Sequence, residues 1–147
     1  QVRLDIAQAA AQQLKEVGID CTVEVPTEVD WGGQMAYLIG WGSPFDADDH
    51  TYKVFGTDKG ANYSSYSNAL VDQYLIEARE SADPEVRAEA YDKFQEELAK
   101  DPAFTFICYI DANYVANSSI QGISADTVMG HHGVGIFWNV ADWTIGN

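Results

Sequence analysis

The side chains best suited to chemistry are crowded into residues 40–52, GWGSPFDADDHTY. Four of them are carboxylates or imidazoles, which commonly bind metals: Asp46, Asp48, Asp49 and His50. Their spacing does not fit a calcium-binding EF-hand loop, because the required glycine and glutamate would fall on Thr51 and Thr57. The alternative is that Asp48 and Asp49 begin a helix, ADDHTYKVF, where carboxylates stabilise the positive end of the helix dipole. We favour the helix.

Trp41 stands between two glycines in the same run. Its indole offers a large flat apolar face and one donor, so it can stack against a ligand while Asp46 pairs with a cationic group. The alternative is ordinary core packing, since large aromatic side chains are mostly buried. Both interpretations stay open at this point.

Signals for an enzyme are weak. His131 and His132 are adjacent in MGHHGVG, and adjacent side chains rarely chelate one ion, so a polar loop is the better interpretation. There is no GxSxG motif, and Pro44 pushes Ser43 toward extended backbone instead of a nucleophile elbow. No phosphate-binding loop is present either. We therefore predict no catalytic residue, no metal site and no cofactor, and a hydrolase is the least favoured function.

Composition limits the class of partner. The chain has 147 residues, 46% of them apolar, which is about the size of one domain with its own core. A net charge of −15 repels phosphate backbones and anionic lipids, so nucleic acid is excluded as a partner. Cys21 and Cys108 lie in apolar runs, which predicts buried free thiols, with a disulfide between them as the open alternative.

The sequence on both sides of residues 40–52 has the pattern of an α/β fold. Apolar residues at helical spacing predict a helix over residues 3–17, closed by Gly18. The alternating run IDCTVEVP and the apolar run MAYLIGW predict strands. The second strand delivers Trp41 at its carboxyl end, which is where ligands gather in open α/β sheets.

The remaining pattern continues the α/β alternation. Residues 56–68 predict an ordered loop, and Asn68 caps a helix after it. Asp83 and Pro84 begin a second helix that ends at KDP. AFTFICYI and the more polar NYVANSSI predict two further strands. The first residues have no signal-peptide pattern, and this abrupt start indicates a piece of a longer polypeptide.

Several stretches, taken in order, resemble the C-terminal lobe of the family 5 extracellular solute-binding proteins, the peptide and nickel receptors of ABC importers. They are IAQAAAQQLKEVGIDCTVEV, the GW followed by acids, NYSSYSNALVDQYLIEA, SADPEVRAEAYDKFQEELAKDPAFTFICYI and the late IQGI. No single stretch is a strong motif, but together they cover most of the chain. Their order and spacing form the signature.

The resemblance implies a periplasmic-binding-protein type II fold, in which two lobes close on a ligand like a hinge. Residues 1–147 would form one domain, an α/β lobe with a central mixed sheet flanked by helices. The tail, about residues 133–147, would contact the missing N-terminal lobe. Without that lobe, some of Phe137, Trp138 and Trp143 would be exposed or repacked.

The resemblance also implies a binding site. In peptide-binding members the tryptophan of GW lines the pocket, as Trp41 would here, and an aspartate three residues later pairs with the peptide's amino group. Pro44 stands at that position, so Asp46 is the predicted replacement. Backbone groups of Gly42 and Ser43 would complete the contact, and His50 is the fifth predicted ligand-binding residue.

The function implied is capture of extracellular oligopeptides, or a similar small solute, for an ABC importer. The partners would be the solute, the importer's membrane subunits and the N-terminal lobe, and the site of action would be outside the cytoplasm, in the periplasm or at the cell surface with a lipid anchor. A nickel or metallophore receptor of the same fold is the alternative, using His50 or the pair His131 and His132.

Overall fold

The computed structural model describes residues 1–33, 35–42, 46–111, 113–124 and 135–146. The described elements are helices α1 (Val2–Glu16), α2 (Ala47–Phe55), α3 (Ala69–Glu80) and α4 (Pro84–Lys100), strand β1 (Ile120–Gln121), a kinked 3-10 segment Gly135–Asp142 and strand β2 (Thr144–Ile145). The chain divides into two compact units, Gln1–Gly40 and Trp41–Asn147. None of the helices in the described ranges has the length and hydropathy of a membrane span.

Helix α1 belongs to the first unit and ends as the sequence predicts. Gly18 has a φ of 86°, a left-handed conformation that favours glycine. The backbone N–H of Gly18 donates to Lys15 and that of Ile19 to Leu14, which is a Schellman motif. No residue of α1 is buried. The described part of residues 1–40 contains no second helix or strand against which its apolar stripe could pack.

Helix α2 confirms the helix interpretation of ADDHTYKVF. Its N-cap is Asp46, whose Oδ1 accepts a hydrogen bond of 2.8 Å from the backbone N–H of Asp48. Asp48 and Asp49 lie in the first turn, where carboxylates suit the helix dipole. Lys53 pairs with Asp49 one turn earlier at 3.0 Å. The acids of the opening run therefore begin a helix.

Helices α3 and α4 begin at the predicted residues. The Asn68 side chain accepts hydrogen bonds from the N–H groups of Leu70 and Val71, and Asp83 accepts one from Glu85. Pro84 is the first helical residue of α4, where its missing N–H costs nothing. Both starts follow from local cap chemistry.

The core of the second unit lies between α3 and α4. Its buried cluster consists of Val71, Leu75, Phe94 and Leu98. Phe55 of α2 packs edge-on against Phe94, with ring centroids 5.4 Å apart. The apolar faces of α3 and α4 therefore pack against each other, and α2 joins the same core.

Most of the predicted strands form no ladder. The runs IDCTVEVP, MAYLIGW and AFTFICYI, and NYVANSSI up to its last residue, lack strand pairing. In the described residues the sheet is the antiparallel pair of β1 and β2, with Ile120 opposite Ile145, instead of a central mixed sheet. The reason is physical: β-propensity favours an extended segment, but a strand also needs a hydrogen-bonded neighbour. The described residues still form an α/β fold, because they contain helices and a small sheet.

The structure also describes the exposure of the two cysteines and of the aromatic side chains in the tail. Cys21 and Cys108 are free thiols but exposed, so the prediction of burial is wrong. Each lies in a run that forms no ladder, so no neighbouring strand covers it. In the tail, Phe137 and Trp138 are exposed as expected, while the indole N–H of Trp143 donates to Asn139 at 2.9 Å. That the N-terminal lobe covers Phe137 and Trp138 stays a prediction.

The loop of residues 56–68 is ordered around Asn62, as predicted. The Asn62 side-chain NH2 group donates to the carbonyls of Gly56 and Tyr66 at 3.0 and 2.7 Å. Its Oδ1 accepts from the N–H of Tyr66 at 3.0 Å and the hydroxyl of Ser64 at 3.2 Å. The Asn62 side chain thus joins Gly56, Ser64 and Tyr66 across the loop.

Replacing Asn62 with aspartate is expected to lower the free energy of unfolding by about 1–3 kcal/mol. The new carboxylate would keep the shape but face two carbonyl oxygens with no proton to donate. Urea unfolding would measure the loss, with Ser64→Ala as a control expected to change stability by less than about 0.5 kcal/mol. Equal effects of the two changes would contradict this role for Asn62.

Candidate functional site

Trp41 is held in an aromatic cluster at the surface of the second unit. Its ring stacks on Tyr63, with centroids 6.1 Å apart and planes 9° apart, and meets the His50 ring edge-on at 5.7 Å. Trp41 is 37% exposed, so it does not serve as core packing. A partly exposed indole is available for stacking on a ligand.

Sequence reasoning missed Tyr63 as part of this cluster. The signal available was an aromatic residue inside a loop of glycine, serine and asparagine, GANYSSYSN, where no strand or helix accounts for it. The ordered loop of residues 56–68 brings Tyr63 to Trp41 from 22 residues further along the chain. Gly42 follows Trp41 and is half-buried, whereas Ser43 and Pro44 lie outside the described residues.

Asp46 has two structural roles in addition to its predicted one. It caps α2, and Nη2 of Arg87 donates to both carboxylate oxygens, at 2.6 Å to Oδ1 and 2.7 Å to Oδ2. The Asp48 N–H bond and then the Arg87 bond hold the pKa of Asp46 below its usual 3.8. The Asp46 side chain is still 57% exposed. Contact with a ligand amine stays a prediction.

This lowered pKa predicts a pH-dependent effect of Asp46→Asn. A carboxylate with a depressed folded-state pKa contributes stability above its unfolded value of 3.8, and loses it as pH falls through the lower folded value. The introduced asparagine would still cap α2 but would not pair with Arg87. We expect the variant to unfold at lower urea concentration than wild type at pH 7, with the gap closing below pH 3.8. A gap independent of pH would contradict this assignment.

His50 projects from α2 beside Trp41. Its Nδ1 lies 3.2 Å from Oδ2 of Asp49, without hydrogen-bond alignment. Among the residues that the structure describes, no group of three or more His, Cys, Asp or Glu side chains is arranged around a possible metal. His131 and His132 lie outside those residues.

A cavity of about 470 Å3 adjoins the start of α2. Three acids and three bases line it with one tyrosine: Asp46, Asp48, Asp49, Lys53, Arg79, Arg87 and Tyr52. Arg79 stacks 3.9 Å from the Tyr52 ring centre and lies 3.4 Å from Asp48. Each acid has a basic partner, so the cavity is a network of ion pairs and not an open cluster of carboxylates.

Several known proteins are similar to this chain over most of its length. No protein-family model matches the chain. Protein XP55 of Streptomyces lividans is 36% identical over 84% of the chain and 24% of its own length. The oligopeptide-binding protein AppA of Bacillus subtilis is 26% identical over 97% of the chain and 27% of its own length. The structure of NikZ from Campylobacter jejuni, in complex with Ni(L-His), superposes with a TM-score of 0.82 at 33% identity.

The chain resembles the family 5 extracellular solute-binding proteins, the family of AppA and NikZ. The match with NikZ covers 96% of the chain and 30% of the NikZ chain. The chain therefore has the fold of one part of a periplasmic binding protein, about the size of a lobe. The chain spans about a quarter of the length of the two curated relatives. The family resemblance and the α/β fold class read from the sequence are confirmed.

Proposed function

We propose that this chain is the C-terminal ligand-binding lobe of a solute receptor for an ABC importer, which captures oligopeptides by closure of two lobes. The observation that carries the proposal is the chain-long match in fold and sequence to NikZ, a protein solved with a bound solute. AppA, whose name records oligopeptide binding, supports the peptide as ligand. The longer polypeptide that this proposal implies is called the full-length receptor.

The aromatic cluster supplies the proposed affinity. Trp41 offers an accessible ring that Tyr63 supports from one face and His50 from an edge. Stacking on a peptide group or side chain does not depend on one ligand sequence, which suits a receptor for varied peptides. Backbone groups of Gly42 and Ser43 are proposed to add hydrogen bonds.

Asp46 is the proposed contact for the ligand's amine. A carboxylate has about four acceptor sites. Three are occupied: Oδ1 accepts from Asp48 and Arg87, and Oδ2 accepts from Arg87. Oδ2 therefore retains one site, on a side chain that is mostly exposed. A ligand ammonium would bind beside Arg87 instead of replacing it.

A nickel or metallophore receptor is the second candidate, favoured by the match to NikZ in complex with Ni(L-His). In this chain His50 is the described imidazole beside Trp41. Lobe closure over a metal complex would use the same aromatic surface, with His50 as the added ligand. A hydrolase remains the least favoured class.

The partners and location follow as part of the proposal. The receptor would act outside the cytoplasm, in the periplasm or anchored by lipid at the cell surface. It would deliver its solute to the importer's membrane subunits. The tail segment that carries Phe137 and Trp138 would contact the N-terminal lobe, which would cover its exposed aromatic rings.

Calorimetric titration of the full-length receptor tests the proposal. Oligopeptides of several lengths are expected to give saturable heat, and Ni2+ mixed with L-histidine is not. The reverse result would support the nickel candidate. No saturable binding of either would overturn both.

A further inference from the structure

Arg87 joins three helices through one guanidinium group. It projects from α4, its Nη2 holds both oxygens of Asp46 at the start of α2, and its Nη1 donates to the carbonyl of Ala78, near the end of α3, at 3.2 Å. It also lies 5.7 Å from the ring centre of Tyr91. The Arg87 side chain is 23% exposed, so it is largely enclosed by these contacts.

The start of α2 needs such an anchor. The helix has nine residues, and Val54 is its one buried residue. An isolated helix of this length is marginal in water, so its orientation depends on contacts with the rest of the unit. Val54 and Phe55 attach the C-terminal end of α2 to the core, and Arg87 fixes the opposite end through Asp46.

The end that Arg87 fixes is the end that faces Trp41. His50 is four residues after Asp46, in the first turn and a half of α2, and its ring meets Trp41 edge-on. A shift at Asp46 would therefore move His50 relative to Trp41. His50 lies midway between Asp46 and the core anchor at Val54, four residues from each, so its position depends on both ends of α2.

Arg79 provides a natural comparison within the same cavity. It also reaches α2 from a neighbouring helix, pairing with Asp48 at a longer distance of 3.4 Å. However, it stacks on Tyr52, and its ion pair is with Asp48 and not with the cap residue Asp46. Two arginines thus share one charged cavity, but Arg87 is the one bound to the helix cap.

We propose that Arg87 is a positioning residue of the ligand surface: by holding Asp46 it fixes the start of α2, and through α2 it fixes His50 against Trp41. In this role Arg87 acts through Asp46 and α2, not through a contact of its own with the ligand. The consequence for binding rests on the proposed function, whereas the geometry is independent of any ligand.

The test measures the His50 ring without ligand, by NMR of the full-length receptor labelled at its histidine rings, with His50 assigned by H50Q. Trp41 shifts the His50 ring protons through its ring current, and Trp41→Ala gives the reference without that effect. Arg87→Gln is expected to move the His50 signals toward this reference. Arg79→Gln is expected to leave them in place.

Asp46→Asn guards against a trivial loss of folding, because asparagine still caps the helix but cannot form the ion pair. It should reproduce the Arg87→Gln shift, and the double variant should add nothing further. Arg87→Lys, which keeps the charge but loses the Ala78 contact and the guanidinium geometry, should give an intermediate shift. Unchanged His50 signals in folded Arg87→Gln and Asp46→Asn proteins would overturn the proposal.

Measurements of ligand affinity distinguish a failure of this proposal from a failure of the proposed function. With an oligopeptide that the wild-type receptor binds as probe, Arg87→Gln should weaken affinity severalfold, whereas Arg79→Gln should not. Loss of affinity equal in the two variants would overturn the positioning role. A wild-type receptor that binds neither oligopeptides nor nickel with histidine would instead contradict the proposed function, and would leave the ligand-free NMR result standing.

Discussion

Replacing Leu75 with alanine is expected to lower the free energy of unfolding by about 2–5 kcal/mol. Leu75 is 1% exposed, and it packs in the cluster with Val71, Phe94 and Leu98 between α3 and α4. Removing its side chain forfeits the burial of apolar surface and leaves a cavity that the helices cannot fully close. Domains of this size are stable by about 5–15 kcal/mol, so the change removes a large share of the total.

Leu70→Ala is the matched control for this prediction. Leu70 lies in the same helix and undergoes the same chemical change, but it is 45% exposed. Its expected cost is less than about 1 kcal/mol, because a surface substitution leaves no cavity. Urea unfolding followed by circular dichroism would compare the two variants. Similar losses would mean that the core is not located between α3 and α4.

Replacing Trp41 with alanine is expected to weaken ligand affinity of the full-length receptor by about ten- to a hundredfold. Large aromatic side chains at the centre of a binding surface commonly contribute about 2 kcal/mol or more, and every 1.4 kcal/mol is a factor of about ten. Trp41 is the accessible ring of the aromatic cluster, and Tyr63 and His50 hold it in place. Calorimetry with a bound oligopeptide would measure the loss.

Trp41→Phe is the control for the stacking role. It keeps an aromatic face of smaller area and is expected to retain affinity within about tenfold. Because Trp41 is 37% exposed, neither substitution should unfold the protein, and circular dichroism would verify this. An alanine variant that binds as tightly as wild type would remove Trp41 from the site.

The helices of this chain could be read from the sequence because their signals are local. Asn68 and Asp83 cap helices α3 and α4 through N–H groups two or three residues away, and Gly18 ends α1 by its own backbone freedom. The acids Asp48 and Asp49 marked the first turn of α2 in the same way. Each of these contacts joins neighbours in the chain.

The strands and the burial of the cysteines were predicted less well than the helices. A strand ladder requires a partner that is distant in sequence. Ile120 pairs with Ile145, a partner that no local pattern indicates. Cys21 and Cys108 lie in runs with apolar composition suited to burial, yet neither run forms a ladder. Composition alone therefore does not decide whether such a run is covered.

The candidate site was predicted in part. Trp41 and His50 were identified from the GW run and do lie together. Arg87 was missed because it is 41 residues from Asp46 and sits in a helix full of charges, where no pattern distinguishes it. The sequence thus identified two members of the aromatic cluster, Trp41 and His50, but not the Arg87 side chain that is bound to Asp46.

Native mass spectrometry of the full-length receptor, purified without denaturation, tests the oligopeptide proposal most directly. We predict bound masses in the range of oligopeptides, which are released on denaturation and diminished in Trp41→Ala relative to Trp41→Phe. A receptor that carries a nickel complex in place of peptides would contradict the proposal.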